Sequence, residues 1–115
     1  MTRYEPAEIV LVRFPFTDLT STKKRPALVV SPADYSARYG DVVLLALTSQ
    51  PQPEEQCRVQ HWQQAGLPKP TWFKPLLATV ATGLLVRSLG RLADADRLTA
   101  CRVIRSLIAA DFLRT

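Results

Sequence analysis

Histidine is almost missing from this 115-residue sequence, and cysteine and glycine are scarce. The single imidazole, His61, excludes phosphodiester chemistry that needs two histidines as acid and base. Between Gln60 and Trp62 it reads as a surface or structural residue in preference to a catalyst. Cys57 and Cys101 form no CxxC pair and offer no His/Cys spacing suited to zinc. No secretory leader pattern opens the chain, so a cytoplasmic protein with free thiols is the expectation. No apolar run approaches the ~18 residues of a membrane span, so a soluble chain is expected. The four glycines supply neither a phosphate-cradling loop nor a GxSxG elbow. The acids Glu54, Glu55, Asp94 and Asp96 lie at loop or helix-start positions, where capping and solubility account for them, and no metal site is expected.

Apolar side chains are plentiful. They make up 47% of the sequence against 22% charged, the balance of a folded globular protein. The length suits one domain over residues 1–115, built around one core. Nine prolines point to stiff strand–loop boundaries and a small β-rich fold. The net charge of +5 is unevenly placed: residues 1–57 carry six Lys/Arg against seven Asp/Glu, and residues 58–115 carry nine against three. A basic half favours an anionic partner, nucleic acid ahead of membrane, with a merely soluble basic protein as the alternative.

Hydrophobic spacing orders the elements. Ile9–Phe16 reads as a strand with Pro15 near its end, and residues 17–25 as a polar loop rich in backbone-bonding Asp18, Thr20, Ser21 and Thr22. Ala27–Ser31 predicts a second strand, and residues 33–40 a loop or short turn closing on Tyr39-Gly40-Asp41. Val42–Thr48 predicts a third strand buried on both faces. Cys57–Trp62 is a candidate fourth strand. Gly66–Pro70 turns the chain, Thr71–Lys74 returns as a short strand, and a further β segment or turn falls near Ala78–Val86. From Asp94, the expected N-cap, to Phe112, the three-to-four spacing of Leu98, Cys101, Ile104 or Arg105, Ile108 and Phe112 predicts an amphipathic helix. Leu107 and Val103 widen that apolar stripe, Cys101 is placed in the core, and Arg97, Arg102 and Arg105 fall largely on other faces.

Two strand tips carry the chemistry. Lys23, Lys24 and Arg25 precede Pro26 at the entry to the second strand, and Thr48-Ser49-Gln50 ends the third. A guanidinium is planar, always charged, and holds two phosphate oxygens at once. A threonine hydroxyl adds a neutral donor aimed at the same oxygens. With a reference pKa above 12, arginine suits electrostatic stabilisation and makes a poor base. The competing reading of Arg25 is a solvated loop cation; Lys23 and Lys24 are phosphate-steering or plainly solubilising charges. Lys69 and Lys74 bracket Trp72 and Phe73, a pattern compatible with base stacking beside neutralised phosphates, although the preferred reading puts at least one of these rings in the core or a dimer interface.

These segments resemble the MazF/PemK family of toxins from type II toxin–antitoxin systems. IVLVRFPFTDL is similar to the family's first strand, KKRPALVVSP to its Arg-Pro-Ala motif, and GDVVLLALTSQ to its third strand with a terminal Thr-Ser. AGLPKPTWFKP resembles the later Gly-Leu…Lys-Pro-Ser/Thr segment, and LVRSLGRLADAD the Leu-Gly-x-Leu turn into the last helix. The resemblance covers roughly residues 8–110 and implies a β-rich α+β fold, a compact SH3-like barrel with a C-terminal helix. It further implies a homodimeric, metal- and cofactor-independent endoribonuclease cutting single-stranded RNA to 2′,3′-cyclic phosphate and 5′-hydroxyl ends. A cognate antitoxin would block the RNA groove with an extended peptide. Arg25 takes the place of the catalytic arginine and Thr48 that of the catalytic threonine or serine. Lys23, Lys24, Ser49, Gln50, Lys69, Thr71 and Lys74 are the expected RNA contacts. A gyrase-poisoning toxin of the CcdB type and an inactive RNA-binding relative are the alternatives. Ala7-Glu8 replaces the family's usual Gly-Asp, and the short loop before Arg25 lacks the acidic residue some members carry there.

Overall fold

The computed structural model describes residues 3–14 and 23–114. Five strands form one antiparallel sheet: β1 (Glu8–Phe14), β2 (Lys23–Val29), β3 (Asp41–Thr48), β4 (Trp72–Ala81) and β5 (Leu85–Arg91), in the order β4-β3-β2-β1-β5. Helix α1 (Ala33–Tyr39) links β2 to β3, and helix α2 (Asp94–Ser106) follows β5. This is the β-rich α+β arrangement with a C-terminal helix that the sequence implied. Among the described residues, no helix is long and apolar enough to cross a membrane.

Both faces of the sheet are covered, which is why the central strands are nearly continuous in apolar residues. Ile9, Leu28, Leu45, Leu47 and Phe73 pack on one face beneath Ala100 and Val103 of α2 and beneath Val59, Ala65 and Leu67. Val10, Val12, Ala27, Val29, Val42, Leu44 and Val80 form the cluster on the other. The prediction of a doubly buried third strand therefore holds. The proximal strand ends differ: Lys23, Lys24 and Arg25 belong to β2, paired with β1, and not to a loop. The predicted Pro15 and Phe16 strand end and the polar segment 17–22 lie outside the described residues.

Other expectations are corrected. Residues 33–40 form a helix because Gly40, at φ +71°, caps it with its N–H donating to the Ser36 carbonyl at 2.9 Å. The short predicted strand at Thr71 is the start of the ten-residue β4, and β5 occupies what looked like a turn into the last helix. Ala7 stands where glycine is usual yet still adopts the left-handed φ of +76°. Its N–H donates to Val29 O (2.9 Å) and its carbonyl accepts from Leu92 N–H (2.8 Å), so two backbone bonds hold the entry turn without glycine.

The largest correction concerns Asp96, which is 1% exposed. Its Oδ1 accepts from the Gln60 N–H and its Oδ2 from the His61 N–H, both at 2.9 Å. A side chain from α2 thus captures the donors that a strand over Cys57–Trp62 would have given to a neighbour. That segment instead contributes a 3-10 turn (Glu55–Cys57) and a single bridge between Arg58 and Trp72. Turning Asp96 inward also sets the phase of α2. Asp96, Ala100 and Val103 face the sheet with Ile104 packed beside them, while Leu98 (58% exposed) and Cys101, expected in the apolar stripe, face outward. The helix ends at Ser106 rather than Phe112, and Asp94 lies inside its first turn, 3.5 Å from Arg97, with no capping bond.

Asp96→Ala leaves both N–H groups without their acceptor and should lower stability by about 1.5–3 kcal/mol. Urea denaturation followed by circular dichroism measures this, and an unchanged midpoint would contradict the clamp.

Candidate functional site

The β2–β3 ladder pairs Ala27 with Ala46 and Leu28 with Leu45. Extending that register by two residues sets Arg25 opposite Thr48. The sheet therefore brings together two positions that lie 23 residues apart in sequence (48 − 25). Both line a cleft of about 420 Å³ whose apolar floor includes Leu11, Pro26, Leu47 and Leu89. Lys24, Ser49, Lys69 and Thr71 also line it; Lys23, Gln50 and Lys74 are exposed but do not. Among the described residues the lining holds four cations and no carboxylate or imidazole, a site built for an anion.

Of the three hydroxyls lining the cleft, those of Thr48 and Thr71 are differently employed, and the third belongs to exposed Ser49. Thr48, 7% exposed, accepts the Gln50 N–H through Oγ1 at 3.1 Å, which fixes the tip and leaves its O–H to donate. Thr71 donates its O–H to the Lys69 carbonyl at 2.8 Å, so it pins the loop that presents Lys69. Gln50 contributes its backbone N–H to Thr48, and its carbonyl accepts from the Gln52 side-chain amide at 3.1 Å.

One cation was missed. Arg87 lines the cleft from β5, directly across from Leu11 of β1. Reading Ala78–Val86 as a β segment or turn concealed the strand that carries it; the alternation Leu85, Arg87, Leu89 was the available signal. The expectation that at least one ring beside Lys69 and Lys74 is sequestered is met, since Phe73 and Trp72 are both buried and Phe73 belongs to the core.

The far wall depends on two glycines in contact. A Cβ on Gly66 would stand 2.0 Å from the Leu89 carbonyl oxygen, and one on Gly90 would stand 2.3 Å from that of Ala65. Gly66 also takes φ +86°. These residues let the 65–71 loop lie directly against β5, so that Lys69 and Arg87 line one cleft.

A family model for the PemK-like, MazF-like toxin of type II toxin–antitoxin systems matches residues 5–108. The chain belongs to this family. Among solved structures it is similar to the Mycobacterium tuberculosis toxin MazF-mt6, at 17% identity and a TM-score of 0.71, covering 87% of this chain and 94% of that one. It is similar to MazF from Deinococcus radiodurans at 18% identity and 0.71, covering 93% and 97%. A mycobacterial endoribonuclease in complex with its cognate antitoxin matches at 15% identity and 0.65, covering 93% and 94%. At these identities the likeness is one of fold, and it agrees with the sheet and C-terminal helix described above. No curated protein matches the chain.

A second cavity of about 740 Å³ opens on this MazF-like toxin between the 52–57 segment and α2, lined by Glu54, Cys57, Pro75, Thr99 and Arg102 among others. Burial, and then the nearby Glu54 carboxylate, push the Cys57 thiol above its ordinary value. Its sulfur lies 3.8 Å from Glu54 Oε2. Both cysteines are free, and Cys101 is exposed in place of its expected core position.

Gly90→Ala should cost about 1–3 kcal/mol by forcing the 65–71 loop off β5, whereas Gly83→Ala, with open space around it, should leave the melting temperature nearly unchanged. Equal melting temperatures for the two variants would contradict the close approach. In a Cys101→Ser background, alkylation of Cys57 should reach half its maximal rate at higher pH than free cysteine, because only the thiolate reacts. Glu54→Gln should move that midpoint down; no movement would discount the carboxylate.

Proposed function

We propose that this MazF-like toxin is a metal-independent, sequence-specific endoribonuclease acting on single-stranded mRNA in the cytoplasm. Residues 1–115 act as one toxin domain that works as a homodimer and is held inactive by a cognate antitoxin peptide laid in the RNA groove. The observation that carries this reading is the meeting of Arg25 and Thr48 in one cationic cleft, on adjacent strands in matching register.

The reaction forms a bond from the RNA 2′-oxygen to phosphorus and breaks the bond from phosphorus to the 5′-oxygen. One proton leaves the 2′-hydroxyl and one arrives on the leaving 5′-oxygen, giving a 2′,3′-cyclic phosphate and a 5′-hydroxyl. Negative charge accumulates on the equatorial phosphate oxygens between these events. Arg25 stabilises it as a bidentate cation, and the Thr48 O–H donates to the same group. Because these donors are fixed on strand ends before substrate arrives, they need no reorganisation at the moment of reaction. Lys24, Lys69 and Arg87 neutralise flanking phosphates, and exposed Lys23 and Lys74 steer the strand from outside the cleft. Ser49 and Gln50 at the β3 tip, with Thr71 holding the facing loop, border the path of the bases.

Purified protein with long mixed-sequence RNA and EDTA should cut at discrete sites leaving cyclic-phosphate ends. Arg25→Ala should lower the rate at least about 10²–10³-fold, and Thr48→Val about 10²-fold, without loss of folding. Arg87→Ala should raise KM more than it lowers kcat. Cleavage by Arg25→Ala at the normal rate would sink the mechanism. Growth arrest that survives in the same variant would point instead to a non-catalytic toxin.

A further inference from the structure

Trp72 is only 8% exposed, yet among the buried apolar side chains described it and Ala46 alone belong to neither core cluster. Its cover is a cation: the Arg58 guanidinium carbon stands 5.7 Å from the centre of a Trp72 ring. The two residues are bridged across the sheet margin, and each carries a buried donor with no partner, the indole Nε1–H and the guanidinium Nε–H. Buried donors in folded proteins nearly always find an acceptor, so two orphans on neighbouring residues ask for one from outside the chain.

Their position says which ligand. Trp72 pairs directly with Thr48, and Thr48 shares the cleft with Arg25, each two residues beyond the last β2–β3 pair, Ala27–Ala46. Direct cross-strand partners share a face of the sheet. Thr48, Trp72 and Arg58 therefore form one paired row, which the β2–β3 register, continued two residues, extends to Arg25. With strands about 4.8 Å apart, Trp72 lies roughly 10 Å from Arg25 along it.

We propose that Trp72 and Arg58 form a second subsite for single-stranded RNA, the indole taking a nucleobase and the guanidinium a phosphate of the strand cut at Arg25. This rests on the endoribonuclease reading of the cleft. Arg58 is held by Glu55, an exposed carboxylate 3.5 Å away, in a pair that solvent screens. Exchanging Glu55 for a phosphate swings the guanidinium off the ring. A base then stacks on the uncovered indole, and both orphan N–H groups gain oxygen acceptors from the nucleotide. Stacking on an aromatic face tolerates any base, so this subsite adds affinity and registers the strand without choosing the cut sequence. An acidic antitoxin segment would also satisfy Arg58, but it has no flat group for the indole.

The protein has two tryptophans, so Trp62→Phe leaves Trp72 as the sole fluorescent reporter. A short single-stranded DNA of mixed sequence, which lacks the 2′-hydroxyl and is not cut, serves as the binding probe beside the RNA cleavage assay. Trp72 fluorescence should be quenched on binding. Arg58→Ala should weaken binding about 5- to 50-fold and flatten the log–log salt dependence by about 0.7. Trp72→Phe, which keeps a ring and loses the N–H, should weaken it about 2- to 10-fold. Glu55→Gln, by removing the competitor, should tighten it about 2- to 5-fold. Melting curves establish that each variant is folded. Unchanged affinity and salt slope in Arg58→Ala, with wild-type cleavage intact, would overturn the subsite and leave the endoribonuclease reading standing. Arg58-dependent binding by a protein that cuts no RNA would support the subsite and overturn that reading. Loss confined to an acidic antitoxin peptide would overturn the RNA assignment, and a wild-type protein that binds no nucleic acid would overturn both.

Discussion

A carboxylate buried under the C-terminal helix organises the half of the molecule that the sheet cannot. Asp96 holds two successive backbone N–H groups of the 57–67 segment at hydrogen-bonding distance. Once those donors are satisfied, the segment can cross the sheet as irregular chain and still bury Val59, Ala65 and Leu67 against it. The same chain runs on into Gly66 and the 67–71 loop, which forms one wall of the cationic cleft. Helix docking, core closure and site assembly thus share one polar anchor.

The cleft joins two requirements that oppose each other. Cations gathered in a confined space repel, and each is stable there only if its charge stays largely in water. Lys24, Arg25, Lys69 and Arg87 meet this by standing exposed on strand ends and a loop, above an apolar floor of leucines and proline. In the proposed function, an arriving phosphate would relieve the repulsion and drive out water, strengthening each interaction as the site fills. Thr48 can be buried beside them because its hydroxyl oxygen already has a backbone donor. Among the described residues, the lining thus offers fixed donors and cations in place of a carboxylate or imidazole.

Sequence patterns were most legible where one structural principle dominated. The apolar runs at β1, β2 and β3 read directly as strands, and Arg25 and Thr48 stood at their tips. They failed where a partner distant in sequence decided the outcome. Cys57–Trp62 alternates like a strand, but Asp96 takes its donors. Leu98 and Cys101 have helical spacing, but docking of the Asp96 side chain rotates the buried stripe onto Asp96, Ala100 and Val103 and leaves those two at the surface. Lys23 and Lys24 looked like loop residues because the strand they extend is polar at that end, paired by backbone bonds that side-chain type does not reveal. Arg87 was hidden because β5 is only half-buried and lacks a continuous apolar run.

The sequence by itself determined the family, the balance of β structure with a final helix, the excess of positive charge, and the residues at the tips of β2 and β3. The family is legible through the resemblance of short motifs in register, and the rest follows from local composition and periodicity, which act within a few neighbouring residues. Only the tertiary structure decided which face α2 buries, that the 65–71 loop lies on β5 through Gly66 and Gly90, and that Arg87 and Lys69 join Arg25 and Thr48. It also decided that Arg58 covers Trp72. Each of these rests on register or close approach between segments far apart in the chain, where a single backbone contact or buried charge outweighs the local preference.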